Sequence, residues 1–259
     1  MQPYLSLEAE LHDAFWLAED DGSELRMMAE FLTNHPGPAL EIGSGSGRLL
    51  LPLAEQGFDI DGLELSPDML AIARKQAAEQ KRPVTMHRGD MSSWTTDKTY
   101  NSLLAPAFTL QLATDPAATL AHWRNLLNPG GALYITTFIP YAEILGELPA
   151  NQWYPDHQAF HSDGTEARLE TRHTIDHANQ TLTRRHRYTI LGKQTRRHQS
   201  TQTIRWFEHD QMLALLTRTG FEAQSHILDF DPETTGQSPD PAESDGIVTY
   251  QAVLPRQRD

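Results

Sequence analysis

Five short apolar runs recur through the first half of the chain, at residues 39–42, 59–63, 84–87, 102–105 and 132–138, and helical patterns at 48–56, 67–80 and 117–127 fall among them. Strand-length runs alternating with helix-length ones predict βαβ units, and hence a mostly parallel sheet with right-handed crossovers and helices on both faces. Local signals agree. Ser66 is a natural N-cap, Pro67 suits the first helical position, and Asp68 favours the positive end of the helix that follows. Asn128-Pro129-Gly130-Gly131 ends the 117–127 helix and turns the chain into the next strand.

The first strand-to-helix turn reads Gly43-Ser44-Gly45-Ser46-Gly47, with Glu41 two residues before it and Glu64 about 20 residues on, where the second strand should end. A turn without Cβ atoms lets a ligand approach the backbone, and the amides of the following helix then point at it. In open parallel sheets ligands sit beyond the carboxyl ends of the strands, where an acid ending the second strand can take both hydroxyls of a ribose. The bland alternative is a tight strand–helix connection with no ligand. A nicotinamide enzyme is the rival ligand-binding reading, but its fingerprint needs a third glycine three places after the second, and Arg48 stands there.

Composition narrows the partners. With 259 residues the chain can bury one sizeable α/β domain, or one with a large insertion. A formal charge of −14 disfavours a general nucleic-acid binder and favours neutral or cationic small ligands. There is no cysteine, so thiolate chemistry, thiolate metal sites and disulfides are excluded. No signal peptide and no membrane-length apolar run is visible, so a cytoplasmic protein is expected.

The pattern changes after Tyr141. From 166 to 206 period-two alternation replaces helical periodicity: Leu169, Thr171, His173 and Ile175 share one face, and Leu182, Arg184, His186, Tyr188 and Ile190 do the same after a turn at Ala178-Asn179-Gln180. A third strand at 195–207 completes an antiparallel meander. A helix at 208–219 and two closing strands at 221–229 and 247–253 follow. The expected organisation is a core of residues 1–141 and 208–259, with an N-terminal helical lid at 1–35 and a β-rich insertion at 142–207.

E-x-G-x-G-x-G, with Glu64 in "GLELSPDMLAIAR", "HRGDMSSW" and "LLNPGGALYITTF" in the same order, resembles the class I S-adenosylmethionine-dependent methyltransferases. "GRLLLPLAEQG", "APAFTLQL" and "IRWFEHDQMLALLTRTGF" are similar to the small-molecule N-methyltransferases of the glycine/sarcosine and aminosugar type, which also carry a β-rich insertion after the fifth strand. The resemblance implies a Rossmann-like seven-stranded sheet whose last two strands form an antiparallel hairpin. It implies S-adenosyl-L-methionine as cofactor, held by Glu41, Gly43, Ser44, Gly45, Gly47, Glu64, Leu65, Met69, Ala105, and Asp90 and Met91 at the adenine.

The acceptor is less legible. Methyl transfer from a positive sulfur is an in-line displacement, so alignment and water exclusion matter more than a fixed catalytic motif. The insertion should wall the acceptor, with Trp153 and Tyr154 as aromatic surfaces, joined by Trp16, Phe108 and Gln111. His157 and His161, in the aromatic segment 151–161, are the candidates for taking a proton. The meander histidines His173, His177, His186 and His198 are expected to be solvated, with no metal site among them. An amine acceptor is favoured over a phenol or carboxylate, and a protein that binds the cofactor without chemistry is the third reading. The basic meander reads as a solvated face or a homodimer contact, ahead of nucleic acid. The acidic loop at 229–245 should overhang the acceptor mouth.

Overall fold

A computed structural model describes residues 4–16, 21–81, 83–160 and 164–256. Its main sheet has seven strands: β1 (Ala39–Ile42), β2 (Ile60–Glu64), β3 (Met86–Arg88), β4 (Tyr100–Ala105), β5 (Leu127–Phe138), β10 (Glu222–Leu228) and β11 (Ile247–Val253). They lie in the order β10-β11-β5-β4-β1-β2-β3. β1 pairs in parallel with β2 and β4, and β11 runs antiparallel to both β5 and β10. The order reverses between β1 and β4, so a crevice opens there beyond the strand ends.

Alternate residues of the central strands feed two cores. Leu40, Ile42, Leu103, Ala105, Leu133 and Ile135 pack with α5 (Pro116–Trp123) and α7 (His209–Arg218) on one face. Ala39, Leu104, Ala132 and Tyr134 pack on the other, against α2 (Ser23–Asn34) and α3 (Leu50–Glu55). Burial on both faces is why these strands read as continuous apolar runs. Trp123 anchors one core, and its indole N–H donates to the Met91 carbonyl at 2.9 Å, so its one polar group is satisfied. α4 (Pro67–Glu79) starts as its sequence foretells, with the Ser66 hydroxyl accepting the Met69 amide. The 128–131 turn is instead part of β5, which begins at Leu127.

After α6 (Tyr141–Ile144) the chain forms a second, antiparallel sheet of four strands: β6 (Tyr154–Phe160), β7 (Glu166–Asp176), β8 (Thr181–Leu191) and β9 (Arg196–Arg205), in that order. The meander is the one expected, and the aromatic segment before it contributes a fourth, edge strand: Tyr154–Phe160 is β6, paired with β7 through a register shift at Asp156. Proline and the absence of clean alternation hide a bulged edge strand in sequence.

Two meander histidines also depart from expectation. His173 and His186 are buried, because they sit on the inward row with Leu169, Thr171 and Tyr188. What covers that row is α1 (Leu7–Trp16): Leu7, Leu11 and Phe15 pack against Ala167, Leu169, Tyr188 and Ile190. α1 is therefore a wedge between the two sheets. The N-terminal segment consists of two separate helices, α1 and α2, rather than one run.

Candidate active site

The crevice at the strand ends is a cavity of about 450 Å³, walled by the turns after β1, β2, β3 and β4 and by Thr201, Gln202 and Thr203 of β9. Gly43, Gly45 and Gly47 all have left-handed backbone, with φ of 74°, 55° and 85°. They are glycines for different reasons. A Cβ at Gly43 would lie 2.6 Å from the Thr109 hydroxyl, and one at Gly47 would press on Leu51. At Gly45 the nearest atom is the Met69 methyl at 3.3 Å, so a side chain there would stand at the cavity wall. Gly47 does not line the cavity.

Glu64 closes β2 with both carboxylate oxygens in use: one accepts the Gly45 amide at 2.9 Å, the other the Ser66 amide at 2.6 Å. Each oxygen keeps a second lone pair, which two neighbouring hydroxyls can fill. Burial pushes the Glu64 carboxyl up, and the Ser66 and Gly45 amides only partly offset it. Glu41 is more extreme. It is buried, its Oε2 has no hydrogen-bond partner among the described residues, and burial raises its carboxyl well above the usual range against the pull of Arg48. The Ser44 hydroxyl is likewise buried and unpartnered, and both residues line the cavity. Orphaned polar atoms at a cavity wall point to a polar ligand that satisfies them.

A second cavity of about 410 Å³ adjoins the first and shares Tyr4, His12, Trp16, Ala107, Leu112 and Gln202 with it. Its far walls come from sheet two, α1 and the end of β5. Ala107 and Phe108 have φ of 48° and 65°, left-handed for residues with side chains. Buried Glu24 holds that turn by accepting the Ala107 amide at 3.0 Å, while pairing with Arg48 at 3.5 Å. Phe108 thereby lines the second cavity, 4.6 Å from the Phe138 ring and 6.1 Å from Trp16. Arg48 lies 4.8 Å over the Trp16 ring, seating that indole between the two spaces.

Of the residues singled out in sequence, Glu41, Gly43, Ser44, Gly45, Glu64, Leu65, Met69, Asp90 and Met91 come together around the first cavity. Ala105 ends β4 one residue before Pro106, which lines the cavity, and is not itself part of the lining. Phe108, Tyr154 and His157 line the second cavity, and Trp16 lines both. Two are elsewhere. Gln111 is a buried brace: its amide donates to the Phe138 and Arg205 carbonyls and accepts the Phe138 amide, tying β5 to β9. Trp153 faces Arg187, whose guanidinium lies 4.0 Å over its ring. His161 lies outside the described residues.

Sequence reasoning passes over Tyr4, Glu8, His12 and Gln202, and sets His186 on a solvated face. His12 and Trp16, four apart on α1, share a helix face, which is the one signal that could have found the pair. The His12 Nδ1 lies 3.0 Å from Asp13, whose carboxylate also accepts the Ser46 hydroxyl at 2.5 Å and the Gln76 amide at 3.3 Å. Burial works to raise Asp13, but the hydrogen bonds from His12, Ser46 and Gln76 outweigh it and hold the carboxyl below its ordinary value. That one carboxylate fastens α1 to the glycine turn. Among the described residues no group of three or more acids and histidines could hold a metal ion, and no helix is long and apolar enough to cross a membrane.

Residues 39–131 match the methyltransferase domain family. The chain is 24% identical over 226 residues, 83% of its length and 90% of the relative's, to the dTDP-3-amino-3,4,6-trideoxy-alpha-D-glucopyranose N,N-dimethyltransferase of Streptomyces venezuelae. It is also 24% identical, but over only 44% of its length and 48% of the relative's, to a ubiquinone biosynthesis O-methyltransferase of Coxiella burnetii. Among solved structures it is similar to an amino pentose methyltransferase of Micromonospora echinaspora with S-adenosylmethionine bound, at a TM-score of 0.69 and 17% identity, covering 98% and 99% of the two chains.

Proposed function

We propose that this S-adenosylmethionine-dependent methyltransferase places its methyl group on an amine nitrogen of a small molecule, an amino sugar. The observation that carries the reading is the pair of adjoining cavities that share a wall containing His12 and Trp16. Likeness to the sugar N,N-dimethyltransferase spans 83% of the chain, more than the cofactor half, whereas likeness to the O-methyltransferase spans 44%.

The first cavity suits the donor. Glu64 takes the ribose hydroxyls on its two spare lone pairs, and Asp90 and Met91 meet the adenine. Buried Glu41 and the Ser44 hydroxyl face the charged amino-acid end, whose ammonium gives Glu41 the partner it lacks. Gly45, Leu65 and Met69 form close walls. S-adenosylmethionine, when bound, supplies an electrophilic methyl on a positive sulfur.

The chain's part is alignment, water exclusion and proton removal. Trp16 and Phe108 flank the junction and shed water from it. An ammonium must lose a proton before its nitrogen can attack. Among the described residues His12 is the imidazole that lines both cavities; its Nδ1–H donates to Asp13, which leaves Nε2 to accept that proton. His157 lines the second cavity alone and stacks on Phe15 at 5.8 Å, so it is a wall residue rather than the base.

Incubation with S-adenosylmethionine and a panel of amino sugars, sugars without an amine and phenols tests the reading. Mass addition on nitrogen alone is expected, and methylation confined to oxygen overturns it. We also infer a cytoplasmic homodimer of secondary metabolism. Its contact is the outer row of sheet two, where Arg168 and Arg197 are exposed in a chain of net charge −14. A monomer by light scattering at micromolar concentration removes the dimer.

A further inference from the structure

The second cavity has an unusual charge balance. Among the described residues Glu8, Glu143, Asp156 and Asp245 line it, against one guanidinium, Arg184. That guanidinium is already spent: its Nε donates to the Glu143 Oε1 at 3.0 Å and its Nη2 donates to the same oxygen. Glu143 is itself buried, so the pair is a closed unit. The other basic side chains on the wall are the imidazoles of His12, His157 and His186.

A hydrogen-bond chain then fixes what one wall can offer. The Thr171 hydroxyl donates its single proton to Asp156 Oδ2, so its oxygen has only lone pairs for the His186 Nδ1 at 2.9 Å. Nδ1 must therefore carry the ring proton. His186 is 8% exposed and lines the cavity, and its Nε2 is left as a bare acceptor with no partner among the described residues. Burial, with Arg184 adding to it, pushes the imidazole down to about 4, so the ring stays neutral near pH 7.

Carboxylates and a bare imidazole nitrogen all want hydrogen-bond donors and positive charge. A diphosphate offers the opposite: only acceptors and negative charge at neutral pH. Among the described residues the cavity has neither an unpaired guanidinium nor an ammonium to receive it. At the rim the 229–245 segment brings Asp229 and Asp245 together, with the Asp229 carboxylate accepting the Asp245 amide at 3.1 Å. That adds further negative charge rather than a phosphate seat.

We propose that the acceptor is an amino sugar carrying no phosphate, free or as a glycoside, and that His186 Nε2 accepts a hydrogen bond from its amine or a hydroxyl. This separates the chain from its relative named for a dTDP-linked sugar, and it rests on the reading of the enzyme as an amine methyltransferase. His186 is a positioning residue here, not the base.

The test offers the full-length enzyme a panel of amino sugars, each as methyl glycoside and as thymidine diphosphate conjugate. Calorimetry with thymidine diphosphate itself, on protein saturated with S-adenosylhomocysteine, runs beside it. The glycosides should have the higher kcat/KM, by about tenfold or more, and the nucleotide should show no binding at millimolar concentration. Faster turnover of the conjugates, or tight nucleotide binding, overturns the phosphate-free acceptor and leaves amine methylation standing. If no amine is methylated in either form, the amine reading falls and takes this inference with it. His186→Leu should lower kcat/KM about tenfold with S-adenosylhomocysteine affinity unchanged, and His186→Gln, which keeps an acceptor, should recover most of it. A Leu variant as active as the parent, or a folded Gln variant as poor as Leu, removes His186 from the site.

Discussion

At the cavity proposed for the donor, the polar groups come from backbone and strand ends: the left-handed turn at Gly43 and Gly45, and the carboxylate of Glu64 held by the Gly45 and Ser66 amides, with just over half of the lining between Glu41 and Ser92. At the acceptor cavity they come from side chains on α1, the β4 turn, β6 to β9 and the loop before β11, from Tyr4 to Ile247. One region is a turn geometry repeated at the ends of parallel strands; the other is an assembly of distant surfaces. The contrast fits the chemistry. Every donor molecule is the same, so a compact stretch can hold it, while the acceptor's shape must be met by side chains that can vary independently.

The largest expected effect breaks the donor side alone. In Gly45→Val a side chain must adopt left-handed backbone, costing about 1–2 kcal/mol or more for a β-branched residue, and must project at the cavity wall beside Met69. Affinity for S-adenosylhomocysteine should fall on the order of a hundredfold by calorimetry. Near-normal affinity would show that the cleft does not use this turn.

A second effect belongs to the acceptor side and shows in stability. His186 titrates near 4 in the folded protein and near its ordinary 6.5 when unfolded. Between those values the unfolded chain binds the extra proton, so stability is lost as pH falls from 6.5 to 4 and levels off below. The loss amounts to roughly 3 kcal/mol. His186→Leu should flatten that part of the urea-denaturation profile relative to the parent, while leaving the slope above pH 7 alone. Parallel profiles for the two proteins would mean the ring is not buried neutral.

The smallest effect sharpens the comparison, because it sits on the junction. Asp13 joins α1 to Ser46 of the glycine turn and to Gln76 of α4. Asp13→Asn loses charge-assisted bonds worth about 1.5–3 kcal/mol in sum, shared between the two sites. Both cofactor affinity and acceptor KM should worsen several-fold, unlike either variant above. A change in only one would show that the wedge helix serves one cavity and not the other.

How much of this was legible before the fold is visible in particular residues. The succession of strands and helices along the chain and the Ser66 cap were readable, because each is set by neighbours within a few positions along the chain. Glu41 and Glu64 were readable for the same reason, since each sits at a fixed place relative to a strand end. Gln111 was not: the same polar side chain on the same turn can face a ligand or brace two strands, and the carbonyl of Arg205, far along the chain, decides for the brace. His12 carries only a faint signal, its spacing from Trp16 on α1, and His186 reads in sequence as a solvated meander residue. Their importance depends on α1 lying across the second sheet, a contact made by Leu7, Leu11 and Phe15 with residues more than 150 positions away. Local periodicity and backbone freedom suffice for the parallel sheet, the glycine turn and the acid that ends β2. Tertiary structure alone decided which imidazoles are dry, which carboxylates face a cavity and where the two cavities meet, because burial and charge pairing arise only when distant segments exclude water together.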